Sequence, residues 1–102
     1  MIFFQRSTSF STWLKSLKDK TGQQRIFARI DAAQEGNFGD CQPVGGGVFE
    51  MRIHYGPGYR IYLTRQGEVT YLLLIGGDKS TQARDINHAR EMAKSLGQRD
   101  QK

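Results

Sequence analysis

The feature that most constrains this 102-residue chain is a period-two pattern that runs from Gly47 to Arg65 and reverses in the middle. Phe49, Met51, Ile53 and Tyr55 alternate with Val48, Glu50, Arg52 and His54; Tyr59, Ile61 and Leu63 then alternate with Arg60, Tyr62 and Thr64. Successive side chains of a strand point to opposite faces, so each alternate set belongs to one face. Between the runs lies Gly56-Pro57-Gly58, which suits a tight reversal because Gly tolerates positive φ and Pro presets its own. The stretch predicts a β-hairpin whose apolar sets share the core. Its other face must then gather Glu50, Arg52, His54, Arg60 and Tyr62. Two guanidiniums, an imidazole and a phenol on one side of a small sheet need an explanation.

The rest of the chain gives the order β-α-α-β-β-β-β-α. Ile2, Phe3 and Phe4 mark a short strand in Met1 to Gln5. Ser7 or Ser9 can cap a helix ending near Asp19, with Phe10, Trp13, Leu14 and Leu17 on its apolar face. A second helix from around Thr21 to Gln23 through Glu35 turns Ile26, Phe27, Ile30 and Ala33 inward. Arg25 and Arg29, four apart, then lie on its exposed flank. So short a connection predicts a helical hairpin laid across the sheet. Pro43 limits the segment at Cys41 to an edge strand, since it lacks the N–H of a central one. Glu68 to Ile75 is the most apolar strand, with Val69, Tyr71, Leu73 and Ile75 on one face and Gly76-Gly77 ending it. Ser80 or Thr81 can cap a last helix with Ala83, Ile86, Ala89, Ala93 and Leu96 inward. Gly97 is its natural terminator, and residues from about 98 form a loose tail. With no repeat or linker, residues 1–102 are expected to form a single α+β domain.

Composition narrows the chemistry. Cys41 is the only cysteine, and His54 and His88 are the only histidines, outside any ligand-rich motif; no metal and no other cofactor is expected. The start MIFFQRS is not a signal peptide, and the apolar run Tyr71 to Ile75 is too short to span a bilayer. A cytoplasmic protein that avoids membranes is expected. Fifteen Arg and Lys against ten Asp and Glu give a net charge of +5, which suits nucleic acid or an acidic protein partner. Gly45-Gly46-Gly47 leads into a strand without a following Gly-Lys-Ser/Thr, so it is no phosphate-binding loop.

RNA cleavage through the neighbouring 2′-hydroxyl needs no metal. It needs that hydroxyl deprotonated, added charge on the phosphate stabilised and the departing 5′-oxygen protonated. Arg suits the second role because its donor fork matches phosphate oxygens and stays charged. His, Tyr or Lys can move protons where the surroundings tune them. Arg52, His54, Arg60, Tyr62 and Lys79 supply these groups. The competing reading is a wet sheet face on which Glu50, Arg52 and Arg60 form ordinary cross-strand ion pairs.

The same residues carry a resemblance. GNFGD at 36–40, PVGGGVFEMRIHYGPGYRIY at 43–62 and LLIGGDKSTQARDI at 73–86 resemble the addiction-module killer proteins. These are a compact branch of the RelE/ParE toxin superfamily, close to HigB-type toxins, and the resemblance spans residues 3 to 96. It implies a RelE-like fold: a small, mostly antiparallel sheet packed against an N-terminal helical hairpin, with a C-terminal helix. It also implies the toxin of a type II toxin–antitoxin module, in most relatives a ribosome-dependent mRNA endoribonuclease that inhibits translation. ParE-like inhibition of DNA gyrase, or a degenerate toxin that only binds its antitoxin, are the alternatives. Arg52, Arg60 and Lys79 carry over as catalytic residues, with His54, Tyr62, Arg25 and Arg29 as substrate contacts. The C-terminal Tyr or His of several RelE-like enzymes has no counterpart, which leaves the general base unassigned. The implied partners are mRNA on the ribosome and a helix-turn-helix antitoxin, in a heterotetramer that reaches operator DNA only through the antitoxin. Lys15, Lys18, Arg25 and Arg29 on the helices are one candidate contact surface for that antitoxin, and the Arg52 and Arg60 face is the other.

Overall fold

The computed structural model describes residues 1–100, with side chains through residue 97. Its elements are β1 (Phe3–Arg6), α1 (Thr8–Ser16), α2 (Lys20–Gln34), β2 (Cys41–Pro43), β3 (Val48–Ile53), β4 (Tyr59–Arg65), β5 (Thr70–Asp78) and α3 (Gln82–Asp100). A 3₁₀ turn at Lys79–Thr81 leads into α3. The strands form one mixed sheet in the order β1-β5-β4-β3-β2, with β1 parallel to β5 and the other neighbours antiparallel. The architecture is α+β, as the sequence pattern predicts.

Local signals start the helices. Ser7 caps α1 by accepting from the Phe10 N–H at 2.9 Å, and Asp19 caps α2 by accepting from the Gly22 N–H at 2.9 Å. The other oxygen of Asp19 accepts from the Tyr59 hydroxyl at 2.9 Å, tying the helical turn to the hairpin. Burial, with that bond adding to it, pushes the Tyr59 phenol up to about 12. The α3 entrance differs from the expected Ser80 or Thr81 cap. Asp78 caps the 3₁₀ turn there, accepting from the Ser80 N–H at 2.8 Å.

Both faces of the sheet are covered. On one, α1 and α2 supply Phe10, Leu14, Ile26, Ile30 and Ala33 to Met51, Ile53, Tyr59, Ile61, Leu63 and Leu73. On the other, Ala89 of α3 packs with Val48, Tyr62, Leu74 and Ile75, flanked by Ile86, Met92, Ala93 and Leu96. The wet polar face expected from the hairpin alone is therefore roofed in part by α3.

Strand β5 departs from the simple pattern twice. Tyr62 pairs with Ile75 but Leu63 pairs with Leu73, so Leu74 is an unpaired bulge residue. The bulge moves Ile75 to the α3 side, away from Tyr71 and Leu73. Gly76 and Gly77 also continue the strand rather than ending it. They are small because helices press on both faces: a Cβ on Gly76 would lie 2.2 Å from the Trp13 ring, and one on Gly77 would lie 1.9 Å from Asp85 Oδ2.

Smaller corrections follow from helix geometry. Ile26, Ile30 and Ala33 fill the buried stripe of α2, which leaves Phe27 41% exposed beneath the Arg6 guanidinium. Ala83 faces away from the sheet and is exposed, as is Val69 in the turn before β5. Gly97 does not end α3; in open space a glycine only weakens a helix, by about 1 kcal/mol. The part of the expected tail at 101–102 lies outside the described residues.

Candidate functional site

The polar side of the hairpin is organised by register. Glu50 stands opposite Tyr62, and Arg52 opposite Arg60. Glu50 is fully buried and accepts from three side chains. The Tyr62 hydroxyl donates to Oε2 at 2.9 Å, Arg52 Nε to Oε1 at 2.8 Å, and Gln82 Nε2 to both oxygens at 2.9 and 3.2 Å. Burial pushes this carboxyl up, but the bonds from Arg52, Gln82 and Tyr62 outweigh it and hold Glu50 below the usual carboxylate range. Its hydrogen bond in turn raises the Arg52 guanidinium. Arg52 thus remains charged while one end of it is anchored.

Arg60 is 7% exposed, so the sequence reading of an exposed cation is corrected. It lies on the face that α3 roofs, opposite Gly77. Nη1 donates to the carbonyls of Gly58 at 3.1 Å and Tyr59 at 3.4 Å, while the buried Nε has no hydrogen-bond partner. Asp85 is also 7% exposed and accepts from the Thr81 hydroxyl at 2.5 Å. The side chain of Lys79 shares the Arg60 end of the hairpin. A point beside Gly58 lies 3.3 Å from Lys79 Cβ and 3.4 Å from Arg60 Nη1.

His54 stands just beyond β3 and is exposed, with Nε2 2.7 Å from Asp40 Oδ2. This bond, before any other influence, lowers the Asp40 carboxyl below its ordinary value. The backbone carbonyl of Asp40 accepts from the Arg52 N–H at 2.9 Å, which places the end of the 36–40 turn against β3.

Of the residues singled out in the sequence, the fold brings Arg52, Arg60, Lys79 and His54 to one end of the hairpin. Tyr62 is not available there: it is fully buried, its hydroxyl is taken by Glu50, and burial followed by that bond drives its pKa upward. Arg29 is not on an open flank either. Its guanidinium donates to the carbonyls of Arg52, Phe38 at 2.8 Å and Asp40 at 3.4 Å. Arg25 is exposed, stacked 4.6 Å over the Tyr55 ring. Among the described residues, no three His, Cys, Asp or Glu side chains converge as a metal ion requires.

Asp40, Gln82 and Asp85 were missed as site residues. All three fall within the runs 36–40 and 73–86, but no local period says that they will converge on the hairpin. The surrounding arrangement is an anchored guanidinium, a second that is almost wholly buried beneath α3 and an exposed lysine. It is suited to an oxyanion with several acceptor oxygens.

Comparison with known proteins finds a matching family and a similar relative. The model of the family described as phage-derived Gp49-like protein (DUF891) matches residues 12–94. An uncharacterized protein of Haemophilus influenzae is 47% identical over 96 residues, covering 94% of this chain and 97% of that protein.

Proposed function

Because the chain belongs to the phage-derived Gp49-like family (DUF891), we propose that it is the toxin of a type II toxin–antitoxin module. The finer reading is a HigB-like member of the RelE/ParE superfamily that cleaves mRNA on the ribosome. The observation that carries it is the Arg52–Arg60 pair. Two like charges directly opposite on adjacent strands destabilise a sheet. Glu50 offsets the charge of Arg52 within the fold, and a phosphate whose charge grows during 2′-oxygen attack would be stabilised by the pair.

In this reading Arg52 and Arg60 hold the scissile phosphate and Lys79 binds it or the adjacent backbone. Arg52→Gln and Arg60→Gln are each expected to lower cleavage of translated mRNA by about 10²–10³-fold, the usual scale for one transition-state donor. Primer extension on ribosome-bound transcripts reads the effect, and circular dichroism checks that each variant folds. Glutamine is chosen over alanine at Arg60 because the site is buried and truncation would leave a cavity. Intact transcripts with wild-type protein would overturn the nuclease reading, and inhibited supercoiling in the same preparation would redirect it to gyrase.

The partner in this reading is a cognate helix-turn-helix antitoxin with an acidic segment. The exposed cations Arg6 and Lys15 support that choice, as they flank Phe27 on the outer side of α1 and α2. A two-fold operator favours two copies of each chain. Light scattering of the co-expressed pair is expected to give the heterotetramer mass, and hydrogen exchange to give protection on α1 and α2. Unchanged exchange in both helices would place the contact elsewhere.

A further inference from the structure

We infer that His54 and Asp40 form a proton-transfer pair, in which His54 Nδ1 removes the proton from a ribose 2′-hydroxyl. This rests on the reading of the chain as an RNA-cleaving enzyme and supplies the base that the resemblance leaves unassigned. Three features of the fold carry the assignment: which imidazole nitrogen is free, what fixes the carboxylate, and where the pair stands relative to Arg52.

Asp40 Oδ2 is 2.7 Å from Nε2 of His54. An ionised carboxylate only accepts, so Nε2 carries the hydrogen and Nδ1 keeps its lone pair. A carboxylate on one ring nitrogen orients the ring and stabilises the imidazolium that forms when the other nitrogen takes a proton. The His54 side chain is 71% exposed, which leaves Nδ1 open to a substrate.

The pair is built on fixed backbone rather than on a free loop. Arg29 donates to the carbonyls of Phe38 and Asp40 on one side and of Arg52 on the other. The Arg52 N–H to Asp40 carbonyl bond at 2.9 Å closes the same junction. One guanidinium from α2 therefore fastens the turn that carries Asp40 to the strand end that carries His54. This explains why Arg29 faces inward although its spacing from Arg25 predicts an exposed pair.

Position completes the argument. His54 is two residues beyond Arg52, and both side chains lower the carboxyl of Asp40, so the guanidinium that would hold a phosphate and the imidazole that would take a proton act on one carboxylate. The groups around the imidazole are Asp40 as the anion, Arg25 and Arg29 from α2, Arg52 from β3, and the Tyr55 phenol. Three cations and one carboxylate suit a polyanionic substrate. A simple surface ion pair needs neither the Arg29 fastening nor the adjacent guanidinium.

Nδ1 takes the 2′-hydroxyl proton, the 2′-oxygen forms a bond to phosphorus, and the bond from phosphorus to the 5′-oxygen breaks. The 5′-oxygen takes a proton from water, and the imidazolium neutralises the hydroxide that remains. The products are a 2′,3′-cyclic phosphate and a 5′-hydroxyl. In these roles His54 is the catalytic residue; Asp40 and Arg29 are positioning residues.

Wild type, His54→Ala, Asp40→Asn and Arg52→Gln are compared on mRNA-programmed ribosomes between pH 6 and 8.5, with and without added imidazole. His54→Ala is expected to cleave about 10²–10⁴-fold more slowly, the scale of general-base catalysis. Added imidazole should restore part of that rate in His54→Ala but not in Arg52→Gln. The fall in wild-type rate on acidification should disappear in His54→Ala. Asp40→Asn should lower the rate less than His54→Ala and shift that acid limb. A merely structural role for His54 would produce neither imidazole rescue nor a changed pH profile. Wild-type cleavage matched by His54→Ala, with Arg52→Gln inactive, would overturn the proton-transfer pair and leave the nuclease reading standing. No cleavage by wild type would overturn both.

Discussion

Glu50→Ala is expected to cost about 3 kcal/mol of folding stability, close to the lower end of what breaking a buried charged network costs. Glu50 is fully buried and receives bonds from Tyr62, Arg52 and Gln82. Removing the carboxylate strands the Tyr62 hydroxyl, which is itself fully buried, and opens a void beneath α3. Arg52 moderates the cost, because its side chain is 37% exposed and can turn to water. Urea denaturation at pH 7 measures the difference; a loss below about 1 kcal/mol would show that the network does not hold α3 to the sheet.

The pH dependence of the wild type follows from the same carboxylate. Its pKa in the folded protein is lowered, so the unfolded chain binds the proton more readily than the folded one. The contribution is fully present above the ordinary carboxylate value and is lost as pH falls through the lowered folded value. The urea midpoint of the wild type should therefore fall on acidification. Glu50→Gln, which has no such proton to bind, should show a smaller acid-dependent fall.

Gly76→Ala and Gly77→Ala are each expected to destabilise by about 3 kcal/mol, the upper end of ordinary overpacking. At Gly76 the new methyl meets the Trp13 ring 2.2 Å away. That ring is itself packed between Phe10 and Tyr59, with centroids 5.8 and 6.3 Å away, so its retreat disturbs both contacts. At Gly77 the methyl meets Asp85, a buried side chain held by Thr81 in the first turn of α3. The two substitutions differ in what they disturb. Gly76→Ala lifts α1 from the sheet, whereas Gly77→Ala lifts the start of α3 and with it Gln82 from Glu50. Thermal unfolding reads both, and loss of near-ultraviolet tryptophan signal should mark Gly76→Ala alone. Wild-type melting of either variant would mean that the helix above it shifts at no cost.

The sequence by itself determined the hairpin, because period-two alternation on both sides of Gly56-Pro57-Gly58 admits one pairing that buries Phe49, Met51, Ile53, Tyr59, Ile61 and Leu63 together. It determined α1 and α2 in outline for the same kind of reason, apolar residues at helical spacing, behind Ser7 in α1; Asp19, expected near the end of α1, is instead the cap of α2. It also named Arg52, Arg60 and His54, since charge on the non-core face of a strand needs no tertiary information to be seen; Lys79, beyond the last strand, rests on the family resemblance. Only the tertiary structure decided what those residues meet. The sequence pattern did not say which element covers the second sheet face, and α3 does; that packing turns Tyr62 and Arg60 inward and leaves Glu50 with three donors. The Gly76-Gly77 pair reads locally as the end of a strand, because the cause of its smallness, Trp13 on one side and Asp85 on the other, is distant in the chain. Arg29 shows the same limit. Its spacing from Arg25 places it on one helix flank, but the three carbonyls that accept from it come from residues 38, 40 and 52 and converge only when the 36–40 turn packs beside β3. Periodicity reports which way a side chain points; partners separated by tens of residues are set by how the layers stack.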